Sequence, residues 1–110
     1  MDDAWGTIEE IIKWLDSGST LGREITKLIR IMKLTEEAGE VTQAVIGTLG
    51  QNPRKGVTHS WEDVQAELCD VIITAMVALA TLTPDAPETF NGHLARVASR
   101  SLGTERATAS

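Results

Sequence analysis

At 110 residues the chain has room for one domain with a modest core and excludes a multidomain architecture. A formal net charge of −6 argues against broad, sequence-independent nucleic-acid binding, which needs a basic surface to displace counterions from phosphates. The single cysteine, Cys69, excludes an internal disulfide, and the N-terminal residues lack the basic-then-apolar layout of a signal peptide, so a cytoplasmic setting is expected.

The first predicted element runs from about Asp2 to Asp16, where Trp5, Ile8, Ile11, Ile12 and Leu15 recur at helical spacing before Ser17-Gly18-Ser19 stops them. A longer helical pattern spans about Leu21 to Leu49 and ends at Gly50-Gln51-Asn52-Pro53, with Arg54 and Lys55 in the loop that follows. Ser60 is a good N-cap for a third helix reaching about Leu82, and Asp63 supplies the acid of a capping box. Its apolar run Val71 to Leu82 is too short to span a bilayer and reads as a buried helix. Thr83-Pro84-Asp85-Ala86-Pro87 breaks the pattern, and a fourth helix is predicted to end near Leu102. Residues 103–110 are small and polar, and a flexible tail is expected there. The expected fold is all-α: a single four-helix, bundle-like domain over residues 1–102, oligomeric because two long apolar helices exceed what four helices can cover.

Two acidic clusters carry the chemistry: Glu36-Glu37-Ala38-Gly39-Glu40 on the second helix and Glu67-Leu68-Cys69-Asp70 on the third. Spacing of three residues places Glu37 with Glu40, and Glu67 with Asp70, one helical turn apart on a shared face. On a helical wheel Ile25, Ile29, Met32, Glu36 and Gln43 form a stripe expected to face the core, with Glu40 beside it and Glu37 further round. On the third helix Asp63, Glu67, Asp70 and Thr74 form a polar stripe, opposite Leu68, Val71, Ile72, Ala75 and Leu79. Carboxylates in such apolar surroundings require pairing, protonation or a cation, and oxygen-only ligation favours Mg²⁺, with Mn²⁺ possible, over zinc. The competing reading is a pair of solvated helix faces, with the glutamates neutralised by Lys27, Arg30 or Lys33.

Read together as Glu-Glu-x-x-Glu, a gap of 26 residues, then Glu-x-x-Asp, the two clusters resemble the signature of the MazG-like all-α nucleoside triphosphate pyrophosphohydrolases. The surrounding text, Lys33 to Val41 and Glu67 to Ile72, is similar to that family's two motif helices, and the resemblance covers roughly residues 21 to 102. It implies that Glu37, Glu40, Glu67 and Asp70 hold Mg²⁺ and that Glu36 helps activate the attacking water. The reaction it implies converts a (deoxy)nucleoside triphosphate to the monophosphate and pyrophosphate, a house-cleaning activity on the nucleotide pool. It also implies phosphate contacts from Arg96 and Arg100, a base stacked on an N-terminal aromatic ring, here Trp14 ahead of Trp5 and Trp61, and a homodimer or homotetramer. No nucleic-acid or membrane partner is expected.

Two further readings compete. The chain could be a non-catalytic helical module that binds metal or nucleotide for structural or regulatory ends. A carboxylate-bridged di-iron bundle needs Glu-x-x-His pairs, which His59 and His93 do not form. Both histidines are expected in loops or on the surface.

Overall fold

The computed structural model describes residues 3–109, with side chains described through 103, and contains four helices in chain order: α1 (Ala4–Ser17), α2 (Arg23–Leu49), α3 (Trp61–Leu82) and α4 (Ala86–Ala109). Their ends follow local chemistry. Asp3 caps α1 by accepting from the Gly6 amide at 2.7 Å. Gly50 closes α2 in the left-handed region at φ 63°, where a Cβ would be strained. The capping box foreseen at Ser60 and Asp63 is formed in both directions. Pro87 falls in the first turn of α4, where its missing N–H leaves no helical bond unmade. The expected end near Leu102 coincides with a break at Gly103 (φ 40°, ψ −114°), after which helical backbone resumes to Ala109.

α3 is the centre of the arrangement. It lies along α2 as an antiparallel hairpin, packs against α1 as well, and touches α4 much less. Trp5 of α1 packs against Phe90 of α4, ring centroids 6.3 Å apart and tilted by 55°. By length and composition alone α3 would suffice to cross a bilayer. Glu67 and Asp70 stand within that length and its neighbours α1 and α2 cover part of it, so it acts here as the packing axis.

The inward faces differ from those the wheel favoured. Ile25, Ile29 and Met32 of α2, expected in the core, are exposed, Met32 by 67%. The face of α2 that packs runs instead through Arg30, Leu34, Glu37, Val41 and Ala44. On α3 the expected apolar side is met in part: Val71, Ala75 and Leu79 are half-buried, but Leu68 and Ile72 look outward, Ile72 58% exposed, and Glu67, Thr74 and Ala78 turn inward. Both helices carry two apolar stripes, and the polar stripe of α3 borders the interhelical seam, which lets the acids of both helices meet.

Arg30 ties the three helices together. Its side chain is only 11% exposed, donates to Asp16 Oδ1 of α1 at 2.7 Å, and donates to Thr81 Oγ1 of α3 at 3.0 Å. Exchanging Arg30 for Met keeps most of the aliphatic packing and removes both bonds. A loss of about 1–2 kcal/mol in urea unfolding is expected, because the freed Asp16 can rehydrate. An unchanged midpoint would mean that the clamp contributes nothing.

Candidate metal centre

α2 and α3 run antiparallel, so the residues halfway along α2 meet the first half of α3. Glu37, Glu67 and Asp70 each present a carboxylate oxygen within 4.8 Å of the others. Glu37 is the most enclosed acid of its cluster, its side chain 14% exposed. Glu40 stands beside Glu67 and is one of the groups that raise its pKa. Three of the four residues expected as metal ligands thus converge, with Glu40 beside Glu67.

Glu67 bears most of the strain of this assembly. Its Oε2 is closed off from solvent and has no hydrogen-bond donor. Desolvation, then the charge and hydrogen bond of Glu40, then the charges of Asp70 and Glu37, raise its pKa above the ordinary 4.5. The folded chain thus keeps a proton that the unfolded chain releases. Its stability contribution is present below the unfolded value and lost as pH rises through the raised one. The thermal midpoint of metal-free protein should accordingly fall from mildly acidic pH towards neutrality, and Glu67→Gln should flatten that slope. An identical slope in the variant would show that another group sets it.

The remaining expected site residues are more dispersed. Glu36 points outward beside the cluster and pairs with Lys33 Nζ at 3.4 Å, which also lies 3.9 Å from Glu37 Oε1. Trp14 is 73% exposed and does not line the cavity next to the cluster. Arg96 and Arg100 lie on α4, where Arg96 reaches His93 Nδ1 at 3.4 Å. Among the described residues no ion pair joins either arginine to the acids. Arg54 and Lys55 are exposed in the turn between α2 and α3. His59 sits in that loop against Thr58, and His93 is on the surface of α4, as expected.

Sequence reasoning missed a cavity of about 360 Å³ bounded by Ile11, Leu15, Ile29 and Val77, with Lys33 and Thr74 on its lining. Lys33 pairs with the acids and Thr74 lies one turn beyond Asp70, so the cavity adjoins the cluster. Its volume falls in the range of small-molecule sites. No periodicity argument could have located it, because it is shared by three helices.

The donor set is all carboxylate, one oxygen is orphaned, and desolvation and the charges gathered there raise the pKa of Glu67. A hard divalent cation would relieve all three conditions. Fold and site together define an all-helical protein with a carboxylate cluster able to hold a metal ion. No protein-family model, no curated protein and no solved structure matches this chain.

Proposed function

We propose that the protein is a Mg²⁺-dependent nucleoside triphosphate pyrophosphohydrolase of the MazG-like kind, acting on the cellular nucleotide pool. The observation that carries this reading is the convergence of Glu37, Glu67 and Asp70 within 4.8 Å, from two helices whose text resembles that family's paired motif. Glu37, Glu40, Glu67 and Asp70 would hold the ion, Mg²⁺ or Mn²⁺. When bound, it would neutralise the polyphosphate and lower the pKa of water.

The chain's own residues supply the rest. The apolar cavity admits a nucleoside while Lys33, at the junction of cavity and cluster, contacts a phosphate oxygen. Glu36, outside the cluster and one turn before Glu40, accepts a proton from the attacking water. Arg96 and Arg100 contribute phosphate contacts from α4, and Trp14 supplies a stacking surface on α1. The site would operate in the cytoplasm.

A second reading has a specific observation behind it. Lys33 is the only cation paired with the acidic cluster among the described residues, so the site has few groups to neutralise a triphosphate. A helical module that binds metal or nucleotide without turnover fits that scarcity. Pyrophosphate release from a panel of ribo- and deoxynucleoside triphosphates, with Mg²⁺ or with EDTA, separates the two. Release that requires Mg²⁺ establishes the hydrolase; a folded, metal-loaded protein that releases none is the binding module.

A further inference from the structure

The loop that returns from α2 to α3 covers a polar pocket distinct from the carboxylate cluster. Its volume is about 320 Å³, and its polar lining is Gln43 from α2 with Asn52, Lys55, Thr58 and His59 from the loop. No acid lines it, and the sequence from Val41 to Trp61 is the longest run of the chain without Asp or Glu. In a protein of net charge −6 such a place is where an anion meets least repulsion.

The pocket is held in shape by the loop's own bonds. Asn52 Oδ1 accepts from the Arg54 amide at 3.0 Å, and the Asn52 carbonyl accepts from the Gly56 amide at 2.8 Å. Gly56 turns the chain in the left-handed region at φ 68°, and the Thr58 amide ties the returning loop to the Gly47 carbonyl at 3.0 Å. The His59 ring lies against Gly47, with Nδ1 2.9 Å from Thr58 Oγ1. When that hydroxyl donates to Nδ1, Nε2 carries the proton and can donate to a ligand. Lys55 makes no ion pair among the described residues, so its ammonium is available.

Position relates this pocket to the cluster. Lys33, Glu36, Glu40, Gln43 and Gly47 recur at i, i+3, i+7, i+10 and i+14, which is one face of α2. Along that face the apolar cavity beside Lys33 comes first, the acidic cluster second and the loop pocket third. α3 passes the same three places in the opposite order, with His59 just before its start, Glu67 and Asp70 in the cluster, and Thr74 and Val77 at the cavity. From Lys33 to Gln43 the helix rises about 15 Å, a length on the scale of an extended nucleoside triphosphate.

We infer that the loop pocket of Gln43, Lys55 and His59 takes the terminal diphosphate of the bound nucleotide, the part that hydrolysis would release. The inference rests on the nucleotide reading of the cluster. With the nucleoside in the apolar cavity, the linkage between the first two phosphates falls at the carboxylates, and the outer two phosphates extend towards the loop. Lys33 and Lys55 then bracket the cluster with positive charge, one from the cavity side and one from the loop side. A triphosphate so placed does not depend on Lys33 alone for neutralisation.

Inorganic pyrophosphate titrated into the full chain in Mg²⁺, followed by the His59 ring signals in proton NMR, tests the pocket without turnover. Pyrophosphate should shift these signals saturably and bind more tightly than inorganic phosphate. A nucleoside triphosphate should shift them too, and the monophosphate should not. Lys55→Gln, an exchange in the exposed turn, should weaken pyrophosphate about tenfold, whereas Lys13→Gln on α1, equal in charge, should leave it unchanged. Binding that weakens in Lys55→Gln, in a protein that hydrolyses no triphosphate, keeps the pocket and overturns the hydrolase. Hydrolysis with His59 unmoved, or with pyrophosphate affinity unchanged in Lys55→Gln, overturns the pocket and leaves the hydrolase standing. Inorganic phosphate binding as tightly as pyrophosphate, or a monophosphate shifting His59 as a triphosphate does, overturns the diphosphate placement.

Discussion

Asp70→Asn is expected to lower Mg²⁺-dependent pyrophosphate release by about 10²–10³-fold while raising the thermal midpoint of the metal-free protein. The two effects share one cause. Glu37, Glu67 and Asp70 meet within 4.8 Å, with Glu40 against Glu67, and no cation but Lys33 among the described residues offsets them. Removing one charge relieves repulsion in the empty cluster and deprives a divalent ion of an anionic oxygen. Isothermal titration with Mn²⁺ in parallel should show weaker binding in the variant. Full activity in Asp70→Asn would remove the cluster from the mechanism. An unchanged or lowered midpoint in metal-free protein would mean that the carboxylates are already neutralised in some other way.

Gly47→Val is expected to destabilise the protein by about 2–3 kcal/mol, the largest loss foreseen for a single exchange in this chain. Gly47 is buried in the last turn of α2, and the loop returning to α3 crosses directly over it, with the Thr58 amide donating to the Gly47 carbonyl at 3.0 Å. A Cβ at this position would overlap the His59 ring and come within 2.5 Å of Thr58 Oγ1. Neither neighbour yields easily, because Ser60, the next residue, is locked in the capping box that starts α3. Glu67 lies two turns further on, so a displaced loop also shifts one side of the acidic cluster. Urea unfolding measures the loss, and His59→Ala should restore part of it if the overlap is the cause. Wild-type stability in Gly47→Val would show that the loop has somewhere else to go.

The cluster and the Gly47 crossing were legible in the sequence to very different degrees. Glu37, Glu40, Glu67 and Asp70 could be named from spacing, since three residues along a helix always means one turn on one face. A glycine within a helical run signals close approach at most, and nothing in its neighbours said that His59 would be what approaches. Arg30 gave even less warning, because its two partners lie on α1 and α3, 14 and 51 positions away.

The sequence by itself determined that the chain is all-α, with four helices and with ends set by Gly50, Ser60 and the Pro84–Pro87 turn. Those signals are local: a cap or a proline acts on amides within a few residues, whatever the rest of the chain does. Tertiary structure alone decided which face of each helix turns inward. Periodicity fixes the angles between stripes but not the direction of the neighbouring helix, and α2 and α3 each offer two apolar stripes. The wheel therefore favoured Ile25, Ile29 and Met32 as core, whereas the packed face runs through Arg30, Leu34, Glu37 and Val41. That choice brings Glu37 to Glu67 and Asp70, and leaves the other stripe of α2 uncovered.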